Sequence, residues 1–247
     1  AYCDKGEVER ALADFDRAIQ LAPRLAHAYA NRGGLKFLQG QYEQAISDAT
    51  RAIELAPKLD VAWSNRGLAR KEQGDWQGAL ADLNQALKLS PKRAEFWHNR
   101  AGVYFKRQEY ARALADETQA LKLKPDWAEI WSERGALRHR LGDLDGAMAD
   151  YDQSLRLKPR AVVYLNRGML WYVKEEFARA REDLTQALAL NPKAADAWAW
   201  RGLSQLQLGE EAAAQRDFDQ CRTLDPRLTA SLEQQIRAVK AQPSGKP

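Results

Sequence analysis

Cysteine is scarce in this sequence, and the two cysteines present lie far apart. Cys3 and Cys221 stand near opposite ends of the 247 residues. A disulfide-stabilised domain needs several cysteines at short spacings, so the sequence predicts two free thiols. Histidine is equally rare, and His27, His98 and His139 come from separate stretches without cysteine partners. No metal site is therefore expected, because zinc needs convergent Cys and His ligands.

Long apolar runs and an excess of one charge are also missing. No stretch approaches the roughly 18 apolar residues that span a bilayer, and the most apolar segment covers residues 169–173. The net charge is only +4, from 38 basic and 34 acidic residues whose signs are mixed along the chain. The sequence therefore predicts no membrane insertion and no nucleic-acid partner. Its 45 % hydrophobic content is typical of a folded chain.

Motifs for catalysis are absent as well. The sequence contains neither a glycine-rich phosphate loop, nor a His-Glu-x-x-His pair, nor a recognisable Ser/His/Asp arrangement. Its carboxylates recur at regular intervals, as expected for solvated helix faces. We therefore expect a protein that is not an enzyme and that carries no cofactor.

The sequence does contain an internal repeat. A five-residue motif recurs six times. It consists of an aromatic residue, a variable residue, Asn in most copies, Arg in every copy and a small residue. The copies lie at residues 29–33, 63–67, 97–101, 131–135, 164–168 and 198–202. Prolines mark the period, with Pro57, Pro91 and Pro125 each 34 residues apart. A period of this length is typical of stacked helical hairpins.

Two helices fit within each period. Between Pro57 and Pro91, apolar residues recur at three- and four-residue steps over 76–89, and the aromatic motif lies in a first helix over 60–73. Gly74 separates these two helices and is expected to adopt the left-handed conformation that ends a helix. The repeat between Pro159 and Pro192 is one residue shorter, which predicts a shorter turn before its first helix.

The repeats predict the division of the chain. Residues 1–22 form a partial first repeat whose second helix is complete, 23–226 six full repeats, 227–240 a capping helix, and 241–247 a flexible tail. Because Ala1 falls inside a repeat, we expect an upstream segment, and this N-terminus carries no information about the cellular compartment.

The pattern resembles the tetratricopeptide repeat family over nearly the whole chain. It has the aromatic residue, the following Gly, two alanines such as Ala79 and Ala86, and the closing Pro. It departs by having Arg before the Gly in every repeat, and by Ala101, Gln108 and Glu175 in place of glycines. The resemblance, to an Asn-Arg-Gly type of repeat, implies an all-α, right-handed α-solenoid of helix-turn-helix repeats with a C-terminal capping helix. It also implies that the first helices line a concave groove.

Two charged rows accompany the repeats. Each first helix carries an Arg and each second helix carries an Asp at a fixed position, as in Arg100 and Asp116. One interpretation is a ladder of structural ion pairs between helices. The other is a row of arginines that binds phosphates or carboxylates.

An asparagine row is the main candidate for ligand binding. It precedes the Arg in four repeats, at Asn31, Asn65, Asn99 and Asn166, and is interrupted by Glu133 and Trp200. Asn offers both donors and an acceptor, so the row is predicted to hold the backbone of an extended peptide. The alternative is that these residues only keep the groove hydrated.

Aromatic residues and one histidine complete the predicted binding set. Phe37, Phe105 and Tyr172 share one position, Trp127 and Trp200 have no counterparts in other repeats, and His98 falls on the groove side. Partial burial against the next repeat is the alternative, as is packing of Trp200 under the cap. The apolar segment 169–173 is either a partner surface or core.

These features favour a non-catalytic scaffold that binds a protein or peptide in the concave groove. The alternative is a targeting or regulatory arm of a larger enzyme or complex whose other domain lies outside this sequence. Self-association through the incomplete first repeat is a further possibility, because that repeat presents an uncovered helix.

Overall fold

The repeats form pairs of packed helices. The computed structural model describes residues 5–241, and it contains no strand within them. Each full repeat consists of a first helix, called the A helix, and a second helix, called the B helix. The prediction of an all-α fold is confirmed.

Two compact units divide the chain, Ala1–Pro125 and Asp126–Pro247. In unit 1 a B helix is followed by three A/B pairs. Its helices are α1 Lys5–Leu21, α2 Ala26–Leu38, α3 Tyr42–Leu55, α4 Asp60–Glu72, α5 Trp76–Leu89, α6 Ala94–Lys106 and α7 Tyr110–Leu123. Within the described residues, α1 runs from Lys5 and includes Gly6.

Unit 2 contains three A/B pairs and a final helix. Its helices are α8 Ala128–Arg140, α9 Leu144–Leu157, α10 Ala161–Val173, α11 Phe177–Leu190, α12 Ala195–Gln207, α13 Glu211–Leu224 and α14 Thr229–Ala241. No helix of the described part of the chain is long and apolar enough to cross a membrane.

Left-handed residues end the A helices. Gly40, Gly74, Gly142 and Gly209 have φ between +75° and +85°, as expected for glycines that end a helix. Gln108 and Glu175 replace glycine at this turn and adopt the same conformation, with φ of 61° and 60°. The turn therefore depends on the backbone hydrogen bonds around it as well as on glycine.

Small residues allow the A and B helices to cross closely. Ala79 and Ala86 on α5 are fully buried, as are the equivalent alanines of most other B helices. Gly67 faces them from α4, where a Cβ would lie 2.9 Å from Leu83 Cγ and 3.2 Å from the Ala79 carbonyl oxygen. This spacing explains the near-constant small residue after the Arg.

One repeat departs from that packing in two residues at once. Ala101 on α6 replaces the glycine, and Glu117 on α7 replaces the large apolar residue that faces it, such as Leu83 in the repeat before. Ala101 is 1 % exposed and Glu117 is 2 % exposed. The extra methyl group is accommodated where the opposing side chain is a carboxylate instead of a leucine or an aromatic ring.

The shortened turn before α10 is present as predicted. Three residues, 158–160, separate α9 from α10, whereas four separate α3 from α4 and α11 from α12. Arg160 at this turn has extended backbone angles, φ −140° and ψ 137°. The extended backbone allows fewer residues to connect the two helices.

The last helix, α14, covers the end of unit 2. Leu232 is 1 % exposed and packs with Leu203 and Phe218, while Ile236 and Val239 lie at the edge of the same cluster. A short 3₁₀ turn, Pro226–Leu228, leads into it. Its function as a cap stays a prediction, and the predicted tail lies outside the described residues from 242 onward, as does Cys3 at the other end.

Replacing Gly67 by Ala tests the close crossing. The added methyl group would overlap Leu83 Cγ and Ala79 O, so the free energy of unfolding is expected to fall by about 1–3 kcal/mol. The matched control is Gly102→Ala on α6, where a Cβ meets only Lys71 Nζ at 3.8 Å. Chemical denaturation should show the control unchanged or stabilised, because Ala favours helix over Gly by about 1 kcal/mol. Equal effects of both substitutions would contradict this account.

Candidate protein-binding surface

An arginine on every A helix binds an aspartate on the B helix of the same repeat. Arg100 donates from Nε and Nη2 to the two carboxylate oxygens of Asp116, both at 2.7 Å. All six repeats have this bidentate pair, with distances of 2.6–2.9 Å, in Arg32–Asp48, Arg66–Asp82, Arg100–Asp116, Arg134–Asp150, Arg167–Asp183 and Arg201–Asp217. The predicted ladder of structural ion pairs is confirmed.

The same guanidinium also reaches the preceding repeat. In unit 1, Arg100 Nη1 donates to Asn84 Oδ1 at 2.7 Å, and Arg66 Nη1 donates to Thr50 Oγ1 at 3.2 Å. In unit 2, Arg167 Nη1 donates to Asp152 at 2.6 Å. Each of these arginines therefore links three helices. The hydrogen bonds with Asp116 raise the pKa of Arg100, so its charge is permanent.

The aromatic residue of the motif supports the arginine. Arg66 lies over the Trp63 ring with its guanidinium carbon 4.9 Å from the ring centroid, a cation–π contact. Trp63 Nε1 donates to the Pro57 carbonyl at 2.9 Å. Trp63 is half-buried and packs against the buried clusters that contain Ala52 and Ala86. It joins the turn proline to the arginine.

The A helices of neighbouring repeats lie side by side within each unit. In unit 1, α2 contacts α4 and α4 contacts α6; in unit 2, α10 contacts α12. We call the surface formed by these helices, on the side away from the B helices, the A face. The residues of the predicted binding set, apart from Trp127, lie on these A helices.

The asparagine row lies between adjacent A helices. Asn65 Nδ2 donates to the Ala30 carbonyl at 2.9 Å, and Asn99 Nδ2 donates to Ser64 Oγ at 3.1 Å. Ser64 is buried, whereas Asn31 is exposed and Asn166 half-buried. Part of the row thus joins one repeat to the next, a structural use that the sequence does not indicate.

His98 has a partner that sequence reasoning missed. Its Nδ1 lies 3.0 Å from Glu117 Oε1 on α7, and Glu117 is buried. A buried carboxylate is stable only when it is paired. The available signal was the loss of an apolar residue at a position that is Leu83, Tyr151, Leu184 and Phe218 elsewhere.

The aromatic residues at the shared position contact the ring that begins the next B helix. Phe37 packs on Tyr42 with centroids 5.7 Å apart, and Phe105 packs on Tyr110 at 5.6 Å. Phe105 is 38 % exposed, so it remains accessible from the A face. These rings stabilise the turn between the two helices, which the sequence analysis did not predict.

Unit 2 has an aromatic cluster between α10 and α12. Tyr172 packs on Phe177 and on Trp200, with both centroid distances 5.2 Å. Trp200 occupies the Asn position of its repeat and fills the space between α10 and α12. It also contacts the cluster that α14 covers, so the alternative of packing under the cap describes part of its contacts. Trp127 is half-buried directly before α8.

Comparison with protein families agrees with this geometry. Models of the tetratricopeptide repeat match residues 1–60 and 165–226, residues 69–107, and residues 101–165. The chain belongs to the tetratricopeptide repeat (TPR) family. No curated protein sequence matches it.

Solved structures share the fold at low sequence identity. The TPR protein YrrB, described with an unusual peptide-binding site, is 22 % identical in sequence and has a TM-score of 0.61. The match covers 74 % of this chain and 95 % of the YrrB chain. PilF of Pseudomonas aeruginosa is 20 % identical with a TM-score of 0.77, covering 86 % and 96 %. A TPR protein of Parabacteroides merdae is 22 % identical with a TM-score of 0.63, covering 95 % and 94 %. At such identities the likeness shows the fold alone.

The TPR repeats differ in chemistry on their A faces. In unit 1 the face carries Asn31, Asn65 and Asn99, together with Gly34 and Gly102. In unit 2, α10 carries Asn166 among apolar residues, whereas α8 carries Glu133 at the position of the asparagine. The Arg–Asp pair is common to all six repeats, so the repeats differ in the residues between these pairs.

Arg100→Leu tests whether the arginine row is structural. It would leave Asp116, whose side chain is 6 % exposed, without the guanidinium, and breaking a buried pair in this way costs about 3–5 kcal/mol. Arg112→Leu is the control, because Arg112 is 67 % exposed and pairs with Glu109 in a single turn; exposed pairs contribute less than about 1 kcal/mol. Unfolding monitored by circular dichroism measures both. Unchanged stability of Arg100→Leu would disprove the structural role.

Proposed function

We propose that this TPR chain is a non-catalytic scaffold that binds an extended polypeptide along the A face of unit 1. The observation that carries the proposal is the set of side-chain amides between neighbouring A helices. Asn65 and Asn99 each use Nδ2 for a bond to the preceding A helix. The bond fixes the amide plane, and an oriented amide binds a peptide group with less loss of side-chain freedom.

Room for a backbone supports the same function. Gly34 and Gly102 occupy one position on α2 and α6, where the repeat between them has Leu68. A Cβ added to Gly34 would lie 3.3 Å from Asn65 Nδ2. Without that Cβ, a ligand backbone can approach the amide directly.

The absence of catalysis is part of the proposal. Buried carboxylates on the B helices, such as Asp82 and Asp116, are held in bidentate pairs with arginines. They are therefore occupied in structural contacts. YrrB, a TPR protein of related fold, is described with a peptide-binding site, which is consistent with a polypeptide ligand.

Substituting the asparagines tests the peptide clasp. A peptide selected from a displayed random library against the intact chain serves as the probe, and calorimetry measures its dissociation constant. Asn65→Ala with Asn99→Ala is expected to raise that constant about tenfold, because each net hydrogen bond contributes about 0.5–1.5 kcal/mol. The control is Asn191→Ala, in the exposed loop before α12.

A second variant separates binding from stability. Asn31→Ala alters an exposed residue of the same row, so weaker binding by this variant cannot arise from loss of an inter-helix bond. Unchanged affinity in both the double variant and Asn31→Ala would disprove the asparagine clasp. Failure of the intact chain to select any peptide above background would count against the scaffold function itself.

We infer that α1 is a surface for self-association. None of the residues 7–21 is fully buried, and Phe15 is half-buried, whereas Leu83 at the equivalent position of α5 is 0 % exposed. Light scattering should show a mass that rises with concentration, and Phe15→Glu should return it to the monomer value. A monomer at every concentration would contradict this inference.

A further inference from the structure

The loops that join each B helix to the next A helix lie along one edge of unit 1. Asn65 on α4 bonds to Ala30 on α2, and Asn99 on α6 bonds to Ser64 on α4. These bonds join nearly equivalent positions, so the three A helices run side by side in the same direction and begin at the same edge. We call the three loops that precede them, residues 22–25, 56–59 and 90–93, the loop edge.

A cation occupies the same position in all three loops. Arg24, Lys58 and Lys92 each follow a proline, and each lies three residues beyond a B helix and two before an A helix. The carbonyl oxygen of each proline accepts a hydrogen bond of 2.8–3.3 Å from the aromatic residue of the next repeat motif. The hydrogen bond fixes the backbone that carries the cation.

The three cations are exposed, and none of them forms an ion pair within the described residues. Basic residues near the opposite edge of unit 1, where each A helix turns into its own B helix, have carboxylate partners at 2.7–2.9 Å, as in Lys36–Asp48, Arg70–Asp82 and Arg107–Glu109. Lys106 is the exposed exception there. Unpaired positive charge in unit 1 is therefore concentrated on the loop edge.

The position of these cations does not favour the helices that follow. A cation close to the start of a helix is repelled by the positive end of the helix dipole. The first turn of α2 has no acidic residue, and its N-cap Leu25 makes no side-chain bond that would offset the charge of Arg24. In α4 the acidic Asp60 of the first turn pairs with Arg93. The charge of the loop edge is therefore available to an anionic partner.

The type of cation indicates a partner with diffuse negative charge. The chain uses arginine in all six of its Arg–Asp pairs, where a guanidinium matches one carboxylate in a fixed geometry. Lys58 and Lys92 instead carry a compact ammonium on a flexible stem, which suits attraction to a charged layer. Since the cations belong to separate repeats, a partner that presents negative charge over an area reaches all three together.

Exposed leucines beside the first cation add apolar contact. Leu21 is 71 % exposed and Leu25 is 43 % exposed, and they flank Arg24 in the sequence. A lipid bilayer accepts both kinds of side chain, because its charged headgroups lie directly above its acyl chains. A highly charged soluble polymer would bind the cations and leave the leucines in water.

We propose that the loop edge of unit 1 binds the surface of a membrane that contains anionic phospholipids. Arg24, Lys58 and Lys92 contact the headgroups, while Leu21 and Leu25 enter the interface. The loop edge lies at the ends of the A helices and the A face along their sides, so a chain bound in this way keeps its A face open. The proposal does not depend on the asparagine clasp.

Sedimentation with vesicles tests the proposal on the intact chain. One set of vesicles contains phosphatidylcholine alone, and the other contains equal parts of phosphatidylcholine and phosphatidylglycerol. The chain should bind only the second set, and the bound fraction should fall as salt rises to about 1 M, where the Debye length is about 3 Å. Equal binding to both sets, or no binding to the anionic set at low salt, would overturn the proposal.

Lysine substitutions locate the surface. Lys58→Ala with Lys92→Ala should lower the partition coefficient about twentyfold, because each lysine near an anionic surface contributes about fivefold. Lys106→Ala is the control, since Lys106 is the exposed last residue of α6 at the opposite edge, and it should change the coefficient less than about twofold. Circular dichroism checks that each variant is folded. A control effect as large as one loop-edge lysine contributes would place the contact elsewhere and overturn the proposal.

A matched pair of leucines distinguishes a lipid surface from a soluble polyanion. Leu21 ends α1 with 71 % exposure, and Leu38 ends α2 at the opposite edge with 68 % exposure. Leu21→Gln should lower the partition coefficient about tenfold, the lower end expected for burying a leucine, and Leu38→Gln should leave it unchanged. Equal effects of the two substitutions would overturn the lipid partner. Tight binding of polyglutamate or duplex DNA would then assign the loop edge to a soluble polyanion.

Discussion

The bidentate pair between an A-helix arginine and a B-helix aspartate is the contact on which each repeat depends. A guanidinium fork matches a carboxylate in a single geometry, so the pair sets both the spacing and the register of two crossing helices. The third nitrogen of Arg66 or Arg100 extends the constraint to the preceding repeat. The aromatic ring beneath the arginine shields the pair from water, which strengthens it. Stability in such an array comes from interactions between neighbours, and this one recurs in every repeat.

Because the Arg–Asp pair lies between the A and B helices, the residues on the A face can differ from repeat to repeat. The repeats keep Arg and Asp while the neighbouring positions change from Gly34 and Gly102 to Met169, and from Asn65 to Trp200. Unit 1 and unit 2 therefore offer different chemistry on the same architecture. Amide groups with open backbone space suit a ligand with unsatisfied peptide groups.

Individual residues show how much of the structure a sequence pattern can predict. The Arg–Asp pairing, the left-handed glycines and the short turn before α10 follow from local spacing, and the structure confirms them. The asparagine row was harder to interpret, because one side chain can bond both to a neighbouring helix and to a ligand. Asn65 donates to the Ala30 carbonyl of the preceding repeat. The pairing of His98 with Glu117 depends on a side chain nineteen residues away, and no local rule selects it. The binding roles of Phe37, Phe105, Trp127 and Trp200 stay predictions.

The sequence alone determined the repeat, the two helices of each period and the Arg–Asp contacts that recur with them. The residues that make such a contact recur at a fixed spacing in the sequence, so the contact can be predicted from it. Tertiary structure decided what occurs once. It showed that Trp200 fills the gap beside Tyr172, that Glu117 is buried against His98, and that Val162 and Val173 on α10 remain exposed. Helical spacing can place those residues on one side of α10, but their exposure depends on which neighbouring side chains cover them. That covering is a property of the packed helices, and no single stretch of sequence contains it.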